Sequence, residues 1–317
     1  MAVAAALNLA DTKRLKISSG RLLTLAANSS TTLNLNTSGT VTVSVTLVDQ
    51  NSATTVTTSV TISSAFQFDV VNGNETIPSR TFGGAVVGKN TTGSARTLLF
   101  GASVTPTFSG GLDLQTSGAG TLLLDGTTNN PTTVTVTGNF TTSSVSGAVT
   151  VSSGSGNWSV SGNYSLTNVT TFNHNSGTIT MTGTGTLTSN GKTLNNFSTS
   201  GAGTVTLASA THTIAGNLTF ATGITLASGT STISMSTAGA TIDGGGKSLY
   251  NLTIGNASGT ITMVSHDLII SNILTVNGSA SLTVGTGLAL RPSSSNATPI
   301  LLNVTITWAG TIDFMKA

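Results

Sequence analysis

The chain has 317 residues and a formal net charge of +2; only 6% of its residues are charged, 37 are glycine and none is cysteine. Soluble domains usually carry about 25% charged residues, and this small positive charge excludes nucleic-acid binding driven by electrostatics. The absence of cysteine excludes disulfides, thiolate chemistry and zinc–thiolate sites, and since no apolar run approaches about 18 residues we expect no membrane span.

Residues 1–97 predict a small N-terminal β-rich domain, an anchor or cap. Segments 40–50 and 54–63 alternate apolar and polar residues and are joined by the short Asn-Ser-Ala, a pattern typical of an antiparallel, sandwich-like hairpin. The start of the chain lacks the basic and apolar regions of a secretory signal. We therefore expect either a signal removed earlier or a protein that does not use this export route.

Residues 98–290 contain an internal repeat of fixed period. Asn163, Asn217 and Asn272 are equivalent at spacings of 54 and 55, and Asn196 matches Asn251 at 55. Short runs with period-2 alternation are separated by Gly, Ser and Asn turns, which indicates strands, and helical spacing is absent. A fixed period of this size is typical of stacked repeats. The prediction is an all-β chain whose main domain is a β-solenoid with a 54–55-residue super-repeat.

The triplet Asn-apolar-Ser/Thr recurs through this region. In a strand its middle residue faces opposite to the two polar ones. We therefore predict that the middle residues point inward and stack from coil to coil: Phe140, Trp158, Tyr164, Phe197, Leu218 and Leu252. The asparagines of the same triplets are candidate glycosylation sites: Asn139, Asn157, Asn163, Asn196, Asn217 and Asn251.

The glycosylation signal has two interpretations. The sequence holds fifteen Asn-x-Ser/Thr sequons, where chance would give about nine. Either these asparagines carry glycans on an exposed face, or they are turn and ladder residues that form hydrogen bonds along the stack. Both interpretations stay open.

The tail, residues 291–317, breaks the repeat with two prolines and then contains the strand-like segment Ile300–Trp308. Because the end of a solenoid leaves a strand edge to be covered, we predict a C-terminal cap or a strand that bridges to another subunit.

Gly-Gly-Gly-Lys-Ser at 244–248 resembles the end of a phosphate-binding loop. The first glycine that such a loop requires is replaced by Thr241, and Lys192 occupies the equivalent repeat position of Lys247. The lysine is therefore interpreted as a repeat position at a turn, and no cofactor site is predicted.

Catalytic and metal-binding groups are sparse. Asp243 and Asp267 are the pair that adjacent coils would bring together as in a β-helix hydrolase, but two polar turn residues is the favoured interpretation. His212 and His266 occupy matching repeat positions and would form at most a weak metal site without a third ligand. We predict no catalytic residue and no bound metal.

The residues 98–290 resemble the Ser/Thr/Gly/Asn-rich parallel β-solenoids of phage fibres and cell-surface adhesins. The resemblance implies a non-catalytic structural protein that self-associates as a trimer or filament. Its first candidate is a virion fibre, spike or decoration component at the virion surface, with other virion proteins as partners. The alternative is a secreted filament, surface-layer or adhesin subunit at the cell surface, with N-glycosylation as an option and surface glycans as partners; a carbohydrate-active β-helix enzyme is the remote alternative.

Overall fold

The described part of the chain is all-β, contains no helix, and winds as a parallel β-solenoid of about ten turns. The computed structural model describes residues 65–293 except 71–72, 256–258 and 278–279, together with the backbone of six short strands outside this range. Two compact units are present, one formed by residues 1–160 and 168–175 and the other by residues 161–167 and 176–317.

The strands of the two units are numbered together in chain order. Up to the end of the first unit's main segment they are β1 Leu7–Leu9, β2 Leu23–Leu25, β3 Leu33–Leu35, β4 Leu47–Asp49, β5 Phe66–Asp69, β6 Glu75–Ile77, β7 Thr81–Phe82, β8 Val86–Asn90, β9 Arg96–Phe100, β10 Thr107–Phe108, β11 Leu112–Thr116, β12 Thr121–Asp125, β13 Thr133–Val136, β14 Phe140–Val145, β15 Ala148–Ser152 and β16 Asn157–Val160. Then follow β17 Tyr164–Ser165, β18 Thr171–Asn173, β19 Thr178–Met181, β20 Gly185–Thr188, β21 Thr193–Leu194, β22 Asn196–Thr199, β23 Gly203–Leu207, β24 Thr211–Ile214, β25 Leu218–Thr219, β26 Ile224–Ala227, β27 Thr232–Met235, β28 Thr241–Asp243, β29 Lys247–Ile254, β30 Gly259–Met263, β31 Leu268–Val276, β32 Ala280–Val284, β33 Ala289–Pro292, β34 Ile300–Leu302 and β35 Thr311–Ile312. Strand β18 belongs to the first unit and β17 to the second.

Coils of the first unit have three sides, each a parallel sheet. Side A contains β5, β8, β11 and β14, side B contains β6, β9, β12, β15 and β18, and side C contains β7, β10, β13 and β16. Wide coils are formed here: Leu112 pairs with Phe140, and Thr141 on the same strand bonds to Asp113 across a sequence separation of 28.

Aromatic side chains fill the wide coils of the first unit. Phe82 stacks on Phe108 from the next coil, with ring centroids 5.4 Å apart and planes at 8°. Trp158 meets Phe140 edge-on at 5.3 Å, and its indole N–H donates to the carbonyl oxygen of Ser153 at 2.9 Å. Rings that bury about 150–250 Å² each supply the volume that a long circumference has to enclose.

Most coils of the second unit are narrower, although the first unit also contains separations of 20 and 21, between Phe66 and Val86 and between Thr150 and Thr171. Side A contains β17, β20, β23 and β26, side C contains β19, β22, β25, β28, β30 and β32, and side B contains β21, β24, β27, β34 and the second halves of β29 and β31. Thr260 pairs with Ser281, and their hydroxyls bond at 2.9 Å across a sequence separation of only 21. In the last coils, side A is formed by the first halves of β29 and β31, which lie between a side C strand and a side B strand as β26 does earlier.

The period of the sequence repeat is not the length of one coil. Between Leu218 on side C and its repeat equivalent Ile273 on side B the chain passes eight successive strand segments of three-sided coils, which is two and two-thirds turns. Phe197 and Leu252 are likewise on sides C and B. Equivalent repeat positions therefore lie on different sides, and each copy of the repeat is rotated by one side relative to the copy before it.

Residues on either side of position 97 share one architecture where the structure describes them. Strand β5 pairs in parallel with β8, and β8 with β11, so the coils include residues that the sequence assigned to the N-terminal domain. Strand β4 pairs in parallel with β2 and β5. The remainder of the predicted hairpin 40–63 and most of Ile300–Trp308 lie outside the described residues, so the N-terminal sandwich and the C-terminal cap stay predictions.

Candidate functional site

The six apolar residues of the triplets all lie inside the coils. Phe140, Tyr164, Leu218 and Leu252 are fully buried, and Trp158 and Phe197 are 1% exposed. Burial raises the pKa of the Tyr164 hydroxyl well above its usual value. These positions belong to the core and offer nothing to a partner at the surface.

The triplet asparagines divide into two groups by exposure. Asn139, Asn163 and Asn217 are exposed at the residue before a strand, whereas Asn157, Asn196 and Asn251 are half-buried as the first outward residue of a strand segment. The first group is accessible to a modifying enzyme. In the second group, Asn196 and Asn251 bond to the coils on both sides.

Asparagine side chains connect successive coils by accepting backbone N–H groups. In the second unit Asn163 Oδ1 accepts from Thr186 at 2.8 Å, and Asn217 Oδ1 accepts from Thr241 at 2.9 Å. In the first unit Asn74 Oδ1 accepts from Thr97 at 2.9 Å. Each bond satisfies a backbone donor at the point where a coil turns and the strand ladder is interrupted.

Asn251 uses both ends of its amide. Its Oδ1 accepts from the Ile273 N–H at 3.1 Å and from Asn272 Nδ2 at 2.7 Å, while its Nδ2 donates to Thr232 Oγ1 at 3.1 Å. Asn196 makes the same two-sided connection, to Asn217 N at 2.8 Å and Thr178 Oγ1 at 3.2 Å. A sugar on the side-chain nitrogen of Asn196 or Asn251 would have to displace the bond to Thr178 or Thr232, so these two asparagines are poor glycan acceptors.

Charged side chains of the second unit concentrate at one corner of its coils, which we call the charged corner: Asp243, Lys247, His266, Asp267 and Arg291. His266 Nδ1 donates to Asp243 Oδ1 at 2.7 Å, and because a carboxylate only accepts, this ring nitrogen carries the proton. Arg291 Nη2 donates to Asp267 Oδ2 at 3.1 Å, and the Ala289 N–H donates to Asp267 Oδ1 at 2.8 Å. Each pair joins one coil to the next.

A tight turn presents His266 to the charged corner. Its backbone N–H donates to the Val264 carbonyl oxygen at 2.8 Å, and the intervening Ser265 has a φ of 66°. A γ-turn with positive φ is rare and strained, at a cost of about 1–3 kcal/mol. His266 is 47% exposed and its carboxylate partner 18%, so the outer ring nitrogen is accessible while the inner one is fixed.

Lys247 also holds the corner to the coil before it. Its Nζ donates to the carbonyl oxygens of Thr222 and Ile224 on the preceding coil, both at 2.7 Å. Gly245 has a φ of 55°, and a Cβ there would lie 2.1 Å from the Phe220 carbonyl oxygen, so only glycine fits. The glycine-rich stretch is thus a coil corner, and its lysine amine is engaged by backbone carbonyls.

The two histidines at matching repeat positions have different environments. His212 is fully buried; its Nε2 donates to the Ala208 carbonyl oxygen at 2.9 Å, which leaves Nδ1 to accept from Ser189 Oγ at 2.9 Å. Burial lowers the pKa of His212, against a smaller opposing effect of the Ala208 hydrogen bond. Since the repeat advances two and two-thirds turns, His212 and His266 are not on neighbouring coils.

Two aspartates in the first unit also bond to their surroundings. Asp113 accepts from Thr141 Oγ1 on the next coil at 2.9 Å, from Ser143, and from Gln115 Nε2 at 2.8 Å. Burial alone would raise the pKa of Asp125, but hydrogen bonds from Thr127 and Thr128 hold that pKa below its ordinary value. Sequence reasoning did not find the bonds of Asp113 to the next coil, because no spacing rule relates residues on successive coils of unequal length. The bonds of Asp125 are local, to residues two and three positions further on, and an aspartate that opens a turn is the signal that could have indicated them.

No protein-family model, curated protein or solved structure matches the chain. Among the described residues, no three or more His, Cys, Asp or Glu side chains are grouped so that they could share a metal ion. A long apolar helix able to cross a membrane does not occur in the part of the chain that the structure describes.

Proposed function

We propose that this chain is a non-catalytic structural protein of a surface assembly and that it self-associates. One observation carries the proposal: the ionisable side chains that could act in catalysis form hydrogen bonds or ion pairs between neighbouring coils. Asp243 is bonded to His266, Asp267 to Arg291, and Lys247 to the carbonyl oxygens of the preceding coil. Asp113 does the same in the first unit.

Stacked repeats gain stability from each neighbouring interface, so a chain of this kind can be lengthened without a new core. The apolar side chains at the centre and the asparagine connections at the turns recur through both units. Such a chain is suited to hold other groups at a distance. This favours a scaffold over an enzyme with one specialised cleft.

The first candidate assembly is a virion, with the chain as a fibre, spike or decoration component and other virion proteins as partners. The architectural resemblance supports it, and so does a coil surface rich in hydroxyls and amides and poor in charge. Such a surface meets its partners through hydrogen bonds and shape. Self-association would produce a trimer or a filament.

The second candidate is a glycosylated filament, surface-layer or adhesin subunit outside a cell. It is favoured by the exposure of Asn139, Asn163 and Asn217 at strand starts, where an attached sugar would project away from the stack. In Asn217 the bond to Thr241 uses the oxygen of the side-chain amide, which leaves its nitrogen for attachment.

Immunoelectron microscopy of native material, with antibodies against the recombinant chain, tests the proposal. Labelled projections on particles that contain other proteins, with an unmodified intact mass, are expected for the virion component. Open polymers of this chain, with mass added in glycan-sized steps, would establish the cell-surface candidate instead. A dispersed monomer that cleaves a polysaccharide, and loses this activity in Asp243→Asn and Asp267→Asn, would overturn the structural role.

A further inference from the structure

The outward face of side B in the second unit carries a row of hydroxyl groups on five successive coils. The row consists of Thr193, Thr213, Ser234, Thr253 and Thr275, each paired in register with the next. With neighbouring strands about 4.8 Å apart, the five hydroxyls span about 19 Å. Within the described part of the chain none of these five side chains makes a hydrogen bond, and all are half-buried.

A partly exposed aromatic ring flanks this row. Tyr250 lies in β29, three residues before Thr253, beside the irregularity between Leu249 and Asn251. It is half-buried, whereas every other described aromatic side chain of the second unit is buried in the core. A tyrosine ring at a surface offers an apolar platform with a polar tip.

The chemistry of this face selects a neutral partner. The outward residues of side B between Thr193 and Thr275 are threonine, serine, asparagine and isoleucine, without a charge among those described. Hydroxyls both donate and accept, so the partner also has to offer both. Because the row repeats at the strand spacing, only a partner that repeats at a similar distance can use all of it.

We propose that the side B row, with Tyr250, binds a neutral β-linked glycan that lies across the strands. Such a glycan is an extended ribbon in which sugars recur at close to the strand spacing and each carries hydroxyls at its edges. Each coil meets one sugar, and the tyrosine ring stacks on a sugar face. The inference deepens the proposed surface function, on which it rests, by naming the partner and the side that recognises it.

Side C of the same unit supplies a matched control. Thr241, Thr262 and Thr283 form a shorter row of half-buried hydroxyls in register, again without a hydrogen bond from their side chains among the described residues. Asp243 lies on the same strand as Thr241, and the aromatic residues among the described part of side C are all buried. Thr→Val substitutions keep shape and strand propensity on either side, so the two sides can be compared without loss of the fold.

The test is a calorimetric titration of the full chain with cellohexaose and chitohexaose, and with cellobiose as a short comparator. We expect the hexasaccharides to bind more tightly than cellobiose. Thr213→Val with Thr253→Val should weaken binding about tenfold, since two hydrogen bonds are lost. Thr241→Val with Thr262→Val should leave the affinity within about twofold, because no contact is lost. Tyr250→Leu should weaken binding with circular dichroism unchanged.

Three outcomes overturn the inference: no binding of either hexasaccharide, equal weakening by both double variants, or no effect of the side B variants. Inhibition of ice recrystallisation that disappears in the side B variants, without glycan binding, would assign the row to ordered water and also reject the glycan. Microscopy of native material decides the structural role independently, so a failed titration removes the glycan site and not the proposed assembly.

Discussion

The two units solve the same packing problem with different side chains. Coils of the first unit reach a sequence separation of 28 between stacked residues and contain Phe82, Phe108, Phe140 and Trp158. In the second unit that separation falls to 18, between Thr180 and Ser198, and the coils are filled mainly by Leu, Ile, Val and Met. Enclosed volume grows with the circumference of a coil, and interiors are packed to near crystal density. Rings supply this volume in the coils of 26 to 28 residues, and aliphatic side chains fill most of the shorter coils. Width does not decide this alone, since Phe66 and Phe68 are buried where Phe66 pairs with Val86 across only 20 residues.

Asparagine side chains stabilise turns and connections between coils. In the first unit Asn90 is fully buried; its Nδ2 donates to the carbonyl oxygens of Ser94 and Thr121, and its Oδ1 accepts from Thr92. It thereby holds a long turn. In the second unit the turns are short, and asparagines such as Asn217 and Asn251 connect one coil to the next. Asparagines thus connect coils in both units, and Asn90 in addition stabilises its own long turn.

The largest predicted effect comes from emptying a wide coil. Trp158→Ala removes the ring that meets Phe100 at 5.9 Å and Phe140 at 5.3 Å, and we expect the free energy of unfolding to fall by about 3–5 kcal/mol. Urea denaturation combined with hydrogen exchange measures this loss and assigns it to the first unit.

Trp158→Phe is the control, because it keeps a ring and loses the bond to the Ser153 carbonyl oxygen. Its expected cost is smaller, about 1 kcal/mol for the hydrogen bond in addition to a small void. If Trp158→Ala cost no more than Trp158→Phe, the wide coils would not depend on aromatic volume, and the contrast between the units would fail.

The next effect concerns the connections between narrow coils. Asn251→Ala leaves the Ile273 N–H without its acceptor and Thr232 Oγ1 without its donor, so we expect a loss of about 1–3 kcal/mol. Asn217→Ala, in an exposed sequon with a single acceptor bond to Thr241, should cost about 0.5–1.5 kcal/mol. Thermal denaturation of the unglycosylated chain compares the two, and equal losses would contradict a special role for the two-sided asparagine.

The strands and their inward residues follow from local pattern, whereas the path of the coil does not. Period-2 alternation around Phe197 or Leu252 is sufficient to indicate which side chain turns inward, because the strand geometry imposes it. The sequence repeat, however, spans two and two-thirds coils, and no local pattern reveals that number. Because all three sides are built from similar short strands, successive copies of the repeat can occupy different sides. Asn196 and Asn251 are equivalent in sequence, yet Asn196 lies on side C and Asn251 on side B.

The candidate sites were predictable only as residue types. Asp243 and Asp267 were recognisable as a pair that adjacent coils would bring together, and they do lie at one corner. Their partners His266 and Arg291 depend on the length of each coil, which no spacing rule fixes. The hydroxyl row of side B was hidden for the same reason, since the separation between its members varies from coil to coil and they alternate with many similar threonines.

A change of pH should distinguish the units. The pKa of His212 is lowered in the folded chain, so below the unfolded value of about 6.5 the unfolded state binds a proton that the folded state does not. Stability should therefore be lost as the pH falls from about 6.5, by at most about 1.4 kcal/mol per pH unit. Hydrogen exchange between pH 7 and 5 should show this loss in the second unit, and His212→Leu should abolish it. A slope that persists in this variant would assign the titration to another group.

The smallest effect belongs to the charged corner. Asp267 and Arg291 are 35% and 34% exposed, so solvent screens their attraction, and a double-mutant cycle with Asp267→Asn and Arg291→Gln should give a coupling of about 0.2–1 kcal/mol. The asparagine keeps an oxygen to accept from Ala289, which isolates the ion pair from the backbone bond. Added salt near 1 M, where the Debye length is about 3 Å, should reduce the coupling further. A coupling that is unchanged in 1 M salt would mean that the charged corner is shielded from solvent. The ion pair would then contribute to the stability of the second unit in the way that buried rings do in the first.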